Sequence, residues 1–422
     1  MTTQPQATTS HPAGLYVLFF TELWERYSFY ALMAILTLYM DEALHFPQAT
    51  SAQVYGVFLA GVYFMPLVGG FVADRWLGFS RAVILGAVLM GFGQLSLSMG
   101  GTTAFFLGLA LVASGTGMLK PNISTIVGNL YRDRRELSDA AFNIFYMGIN
   151  TGAFVAPMIV AWLRNHYGWG AAFMSAAIAM VLAIGTFIGF RRHLPTDDTK
   201  ADRQATADAG GSSDDRSRIV ALLVVFAIVV VFWVAFYQNG FTMTLWARDN
   251  TDTTISPEVF QSVNPLGIIL FSPVLVGLWA ALRRRNAEPS TPAKIVIGMI
   301  LTALTFGIMA AAGMMGGDTG KVSASWLVSA YLAIALGEIC VSPMGLSLVT
   351  KVAPPKHRAT MMGAWFAATA TGGYLAGFLG RYWGQMAHSQ FFLMVAGLCV
   401  LAAVVMAIAS KGLGKVFAAA TK

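Results

Sequence analysis

Residues 15–40 read LYVLFFTELWERYSFYALMAILTLYM, an apolar stretch long enough to cross a lipid bilayer as one helix. It nevertheless contains two glutamates and an arginine. Each charge costs roughly 2.5–3.5 kcal/mol at the centre of a membrane helix, so such residues face a protein interior or a water-filled cavity. Helical periodicity places five polar or aromatic residues on one face: Glu22, Glu25, Arg26, Phe29 and Tyr30. We expect this face to line a pathway through the membrane.

The whole chain has the composition of an integral membrane protein. Of its 422 residues, 56% are hydrophobic and 11% are charged, against roughly 25% charged in an average soluble domain. The net charge of +7 comes from basic residues in short loops, which argues against a nucleic-acid surface. The two cysteines lie in apolar segments without a CxxC motif. We therefore expect no disulfide, metal site or cofactor.

Twelve apolar segments of membrane-spanning length occur, six on each side of a polar linker. They fall at about 15–40, 51–73, 80–99, 102–127, 138–164, 169–190, 219–247, 258–282, 292–316, 323–350, 358–384 and 387–410. The predicted domains are a tail at 1–14, a six-helix bundle at 15–190, a flexible linker at 191–218, a second bundle at 219–410 and a tail at 411–422. This plan predicts an all-α membrane protein and resembles the major facilitator fold, in which two bundles rock about a central site.

Lysine and arginine are concentrated in the even-numbered loops, the linker and the C-terminal tail. The positive-inside rule then places both termini in the cytoplasm. The polar N-terminal tail has no basic region followed by a cleavage site, so we do not expect a signal peptide. We predict a multi-pass protein of a bacterial inner membrane that functions as a monomer in the lipid bilayer.

The segment GGFVADRWLGFSR, residues 69–81, joins the second and third predicted helices. An acid and two arginines at such a turn resemble a signature of the major facilitator superfamily. That resemblance implies that Asp74, Arg75 and Arg81 are gate and scaffold residues. The alternative is a solvated turn that happens to contain an acid.

Two further charges lie well inside apolar segments, Lys120 in the fourth and Glu338 in the tenth. These segments hold equivalent places in the two halves, and a proline follows each charge. We predict an ion pair between the halves that forms in one conformation and breaks in another. Protonation of Glu338 would neutralise the pair and couple proton uptake to conformation. The alternative is a permanent salt bridge.

In the first segment, Glu22 precedes Arg26 by four residues, the favourable order for an ion pair on a helix. This pairing leaves Glu25 over as a candidate proton carrier. The alternative is one static network of all three residues.

Polar and aromatic residues accompany these charges within or near the predicted helices. They are Tyr27, Tyr30, Tyr63, Tyr146, Asn150, Asn264 and Trp365. Tyrosine and tryptophan are also common anchors at the membrane interface. A site with cations, a carboxylate and amides suits a small zwitterion, whose carboxylate meets the cations and whose ammonium meets the acid.

These residues resemble the proton-coupled oligopeptide transporter family. ELWERYSFY at 22–30 is similar to its ExxERFxYY-type signature, and further matches occur in both halves. They are YFMPLVGG at 63–70, GGFVADRWLG at 69–78, LKPN at 119–122, FNIFYMGINTGAF at 142–154, FWVAFYQ at 232–238, NPLG at 264–267, GEICVSPMGLS at 337–347 and GAWF at 363–366.

The resemblance implies uptake of di- and tripeptides driven by an inward proton gradient. It assigns Arg26 and Lys120 to the peptide carboxylate. It assigns the amino end to Asn150, Asn264 and Glu338, the side-chain pockets to Tyr27, Tyr30, Tyr63, Tyr146 and Trp365, and proton coupling to Glu22, Glu25 and Glu338.

The chain departs from the family pattern at Tyr237, where many members have an acid that pairs with the arginine of the first helix. We therefore expect Arg26 to pair within its own helix and to be freer to meet a substrate carboxylate. The histidine that animal members carry in the second helix is absent, and so are the two extra helices of many bacterial members.

The residues leave other functions open. The same fold could carry nitrate or another small acid, or exchange a drug for protons. A nutrient sensor that binds peptide without sustained transport is a further alternative. We do not expect an enzyme, because the six histidines lie at tails, loops or segment ends and form no catalytic cluster.

Overall fold

The computed structural model describes residues 11–132, 137–195, 215–354 and 357–420. Most of the predicted linker and the outer part of the N-terminal tail lie outside the described residues.

The described residues form twelve helices of 20 residues or more. In chain order they are α1 (Ala13–Glu42), α2 (Gln48–Val72), α3 (Phe79–Ser98), α4 (Thr102–Leu130), α5 (Ser138–Tyr167), α6 (Trp169–Gly189), α7 (Asp215–Phe236), α8 (Val263–Arg284), α9 (Thr291–Met315), α10 (Ala324–Val352), α11 (Arg358–Gly380) and α12 (His388–Ala420). A 3-10 turn and a short helix, Thr242–Asp249, follow α7; we call this short helix the α7 extension. Two strands of two residues each, β1 (Thr251–Asp252) and β2 (Val322–Ser323), pair in parallel.

Ten of the twelve helices are long and apolar enough to cross a membrane. The other two are α1 and α11, of 30 and 23 residues. The first contains three charged residues near its middle, and the second is rich in glycine and threonine. All twelve predicted segments are thus helical, and the predicted all-α membrane fold is confirmed.

The two halves of the chain pack by the same plan. In the first half the most extensive helix contacts are α1–α5, α1–α6, α2–α4, α3–α4 and α3–α6. In the second half the corresponding pairs, six helices further on, are α7–α11, α7–α12, α8–α10, α9–α10 and α9–α12. Between the halves, α2 packs on α11 and α5 on α8. Exchanging the halves replaces α2 by α8 and α11 by α5, so each of these contacts becomes the other. The molecule therefore consists of two equivalent six-helix bundles around a pseudo-twofold axis.

Glycines permit the closest helix contacts. A Cβ atom on Gly69 of α2 would clash with the carbonyl group of Gly117 in α4, within the first bundle. Across the interface, a Cβ atom on Gly377 of α11 would lie 2.5 Å from the Cα atom of Gly56 in α2. Small residues let membrane helices approach until their backbones touch, so these positions fix how the bundles meet.

Candidate functional site

The charged residues of α1 form one buried network. The Arg26 guanidinium binds the Glu25 carboxylate through both Nε and Nη2, and its Nε lies 3.3 Å from Oε1 of Glu22. Glu25 is 0% exposed and Arg26 is 3% exposed. The predicted pairing of Arg26 within its own helix is confirmed. The expectation that Glu25 is left over is wrong, because the forked guanidinium reaches the neighbouring carboxylate as well as the one four residues away.

Lys120 of α4 lies beside this network. Its Nζ is 5.0 Å from the ring centroid of Tyr63 in α2, and it is within electrostatic reach of Glu22, Glu25 and Arg26. Among the described residues it forms no ion pair. Both carboxylates of α1 are already held by Arg26, so Lys120 is the cation of this group that remains available to a ligand.

Glu338 of α10 lies on the other bundle. Its Oε2 accepts a hydrogen bond of 3.3 Å from Nδ2 of Asn264 in α8, and the carboxylate is only partly buried. The predicted ion pair between Lys120 and Glu338 is not formed in this conformation, because each charge has partners in its own bundle. The structure does bring Glu338 and Asn264 together.

Tyrosines from the first bundle lie between the two charged groups. Glu338 is within electrostatic reach of three of them: Tyr30 of α1, Tyr63 of α2 and Tyr146 of α5. Tyr146 is 39% exposed. The cleft between the bundles therefore has a cation on one wall, a carboxylate on the other and phenol rings between them.

Three other predicted binding residues have partners within their own bundles. Tyr27 bonds to Ser175 of α6 over 3.0 Å between the hydroxyl oxygens. Asn150 donates to the carbonyl oxygen of Tyr146 in its own helix over 2.9 Å. Trp365 is 2% exposed and packs on Gly345 within the second bundle. In this conformation these side chains support the helices that line the cleft.

The predicted gate residues lie together around the turn between α2 and α3. Asp74 and Arg75 belong to a π-helical turn, Ala73–Leu77, and Arg81 lies in the first turn of α3. All three are exposed. Their predicted gating role stays a prediction.

The seventh predicted helix, at 219–247, is broken. The 3-10 turn Tyr237–Gly240 interrupts it next to the site, whereas its apolar sequence predicts one continuous helix. The carbonyl oxygens of the turn accept hydrogen bonds from other helices: Tyr55 to Tyr237 over 3.1 Å, Tyr331 to Asn239 over 2.9 Å and Thr37 to Gly240 over 2.7 Å. The Asn-Gly dipeptide at 239–240 is the turn signal that could have indicated the break.

Tyr237 stands at this break, where the family pattern has an acid. Its ring stacks on Trp233 at 5.6 Å between centroids and lies 5.6 Å from the ring of Tyr63. The hydroxyl groups of Tyr63 and Tyr237 face each other, but among the described residues the Tyr237 hydroxyl has no hydrogen bond of normal geometry. At the position where many family members have an acid that pairs with the arginine of the first helix, this chain therefore has a tyrosine ring that packs on Tyr63 and Trp233.

The bundles are joined at the end of the molecule that contains the loop between α1 and α2, residues 43–47; we call this the first-loop end. There Arg248 of the α7 extension binds Asp41 of α1. Ser262 donates to the carbonyl oxygen of Phe154 in α5 over 2.7 Å. These contacts close the cleft at the first-loop end.

Two equivalent bundles around a cleft that is closed at one end define a transporter that works by alternating access. The model of the POT family (PTR2) matches residues 80–207 and 199–394. The chain therefore belongs to the POT family.

Named relatives match nearly the whole chain. The peptide transporter YePEPT of Yersinia enterocolitica is 33% identical, over 88% of each chain. The di-/tripeptide transporter of Lactococcus lactis subsp. lactis is 32% identical, over 95% of each. A crystal structure of the peptide transporter POT in complex with sulfate is similar with a TM-score of 0.88, at 29% identity and with 97% of each chain covered.

Proposed function

We propose that this protein is a proton-coupled symporter that imports di- and tripeptides by alternating access, with the peptide held between the two bundles. The observation that carries the proposal is the opposed placement of Lys120 and Glu338 across a cleft with tyrosines between them. A short peptide is a zwitterion with its charges at its ends. Charge-assisted hydrogen bonds to both ends fix such a ligand whatever its side chains are.

The peptide carboxylate first meets Lys120, because the guanidinium of Arg26 is already bound to Glu22 and Glu25. Arg26 is thus less available to substrate than its sequence context indicates. Its role in this proposal is to hold the two acids and to add positive potential beside Lys120. The peptide ammonium meets Glu338 and Asn264, which already share a hydrogen bond.

Proton coupling is assigned to Glu338 and to the network of Glu22, Glu25 and Arg26. An ionised Glu338 attracts the ammonium group of the peptide and, when the bundles close over the cleft, Lys120. Protonation removes both attractions. The charge state of this one group thereby changes the relative free energies of the conformations, which is the requirement for coupling.

The remaining roles in this proposal follow the family resemblance. Tyr30, Tyr63 and Tyr146 shape the side-chain pockets, and Tyr27, Asn150 and Trp365 join them when the bundles move. Asp74, Arg75 and Arg81 control the end opposite the first loop. We place the domain boundaries at 15–190 and 219–410, both termini in the cytoplasm, and a monomer in a bacterial inner membrane.

Transport by the purified protein in liposomes tests this function. We expect labelled dialanine to accumulate when an inward proton gradient is imposed. In a panel of di-, tri- and tetrapeptides, the di- and tripeptides should compete with it for uptake and the tetrapeptides should not. If dialanine uptake is no greater than in empty vesicles and nitrate or a drug is transported instead, the protein is a transporter of another substrate.

A further inference from the structure

Five charged residues form a continuous chain across the bundle interface at the first-loop end. In spatial order they are Asp41, Arg248, Glu42, Arg164 and Glu258, and we call them the ionic chain. Nη1 of Arg248 binds Asp41 and lies 3.6 Å from Oε1 of Glu42. The other oxygen of Glu42, Oε2, lies 3.6 Å from Nη1 of Arg164. Nε of Arg164 lies 3.1 Å from Oε1 of Glu258. The sign of the charge alternates at every step.

Three of the four contacts in the ionic chain cross from one bundle to the other, and the fourth, between Glu42 and Arg164, lies within the first bundle. Arg248 belongs to the second bundle, where it also binds Asp249, and Asp41 and Glu42 belong to α1. Arg164 belongs to α5 and Glu258 to the 3-10 turn before α8. Neighbouring neutral contacts follow the same interface: Nδ2 of Asn165 donates to Oγ of Ser256 over 2.7 Å. Two ion pairs among the described residues of the opposite end, Arg283–Glu288 and Lys294–Glu288, connect residues of one bundle.

The pair between Arg164 and Glu258 is the buried part of the ionic chain. The Glu258 side chain is 0% exposed, and that of Arg164 is 14% exposed. The Arg164 guanidinium is also 5.0 Å from the ring of Trp169, which holds it in place. A buried carboxylate that loses its cation is strongly destabilised. Separation of the bundles at this end therefore costs free energy, because it breaks this ion pair. The separation is favourable only if water that enters solvates the Glu258 carboxylate.

We propose that Arg164 and Glu258 are positioning residues of the transport cycle, which set the equilibrium between the two end states by stabilising closure at the first-loop end. The proposal rests on the proposed function only in taking the protein as an alternating-access carrier; it does not depend on the cargo. Both residues lie at the first-loop end, away from the cleft that holds Lys120 and Glu338, so they act on the conformational equilibrium and not on the substrate.

A distance measurement between spin labels on the two bundles tests this inference. Thr103 and Lys321 are exposed at the first-loop end of the first and second bundle. Both are replaced by cysteine and labelled in a full-length protein whose buried Cys340 and Cys399 are alanine, in lipid nanodiscs without peptide or gradient. We expect Glu258→Gln and Arg164→Gln to raise the population with the longer distance on the order of tenfold, because each removes a buried charge pair.

The matched control is Glu288→Gln, which removes a carboxylate that binds two cations within one bundle. It should leave the distances unchanged, and Arg164→Lys should retain the wild-type distribution. Glu42→Gln is a milder variant, since this side chain is 38% exposed, and should shift the distribution less in the same direction. Wild-type distances in Glu258→Gln and Glu42→Gln, or an equal shift in Glu288→Gln, would overturn the proposal. Failure to transport peptide would leave this readout intact.

Discussion

At the scale of single residues, Lys120 is the cation of the cleft that has no carboxylate partner among the described residues. Arg26 has two such partners in its own helix, whereas the ammonium of Lys120 lies over the face of the Tyr63 ring. A cation over an aromatic ring is attracted by roughly 0.5–2 kcal/mol, less than a direct bond to a carboxylate in a dry site. A ligand carboxylate can therefore draw Lys120 away from the ring.

This arrangement predicts how the protein distinguishes peptides by their C-terminal group. The wild type should prefer dialanine to dialanine amide, and Lys120→Gln should lose most of that preference together with about tenfold of its dialanine uptake, as expected for one charge-assisted contact. Competition uptake in liposomes measures both quantities. Lys321→Gln, a change at an exposed loop lysine, is the control. An unchanged preference in Lys120→Gln would assign carboxylate recognition to another residue.

At the scale of helices, the contact between α2 and α11 determines how closely the bundles approach. It depends on glycines, as the positions of Gly56 and Gly377 demonstrate. The break after α7 contributes in a different way, because it frees carbonyl groups that hydroxyl side chains of α1 and α2 then bind. Backbone atoms of both bundles thus contribute directly to the neutral part of the interface, either packed against each other or as hydrogen-bond acceptors.

A methyl group placed in this contact should separate the helices. Gly377→Ala puts a Cβ atom 2.5 Å from the Cα atom of Gly56, and neither backbone can give way without moving a helix. We expect a clear decrease in melting temperature and in uptake. Gly397→Ala in α12 is the matched control, since a Cβ atom there would meet no atom of the described residues within 4 Å. Equal melting temperatures for the two variants would show that α2 and α11 have room between them.

At the scale of the whole molecule, proton coupling requires a charge whose state is sensed by both bundles. Glu338 meets this condition, because it is bonded to Asn264 within its own bundle and is within electrostatic reach of Tyr30 and Tyr146 on the other. The network on α1 also contains acids, but both are compensated by Arg26.

Glu338→Gln should therefore uncouple transport from the proton gradient. We expect loss of gradient-driven accumulation while exchange of labelled for unlabelled peptide across the membrane continues, because a permanently neutral residue still permits the conformational change. Wild-type dependence on the gradient would contradict the assignment.

Glu288→Gln is the control for this experiment. Hydrogen bonds from Arg283 and Lys294 lower the pKa of Glu288 to about 2. A carboxyl with a lowered pKa contributes stability above its unfolded pKa and loses it as the pH falls toward the folded value. Glu288 thus stays ionised from about pH 5 to 8, and its removal should not alter the pH profile of uptake in that window.

Much of the fold was predictable because a membrane imposes simple rules on sequence. Apolar length defines the helices, and rare internal charges mark the pathway. The family resemblance grouped Asn264 with Glu338, and helical spacing predicted the pair of Glu22 and Arg26 in α1. It missed the break at Tyr237–Gly240, since a turn of four residues inside an apolar segment changes neither its length nor its hydropathy appreciably.

The sequence by itself determined that this protein is a twelve-helix membrane protein of the POT type with Glu22, Glu25, Arg26, Lys120 and Glu338 inside the membrane. The tertiary structure decided which of these charges are paired. Arg26 takes both acids of α1, and Lys120 keeps no carboxylate partner in the part of the chain that the structure describes. Glu338 bonds to Asn264 of its own bundle and forms no ion pair with Lys120 in this conformation. Pairing depends on distances between helices that are remote in sequence, and these follow from how the helices pack rather than from any local pattern.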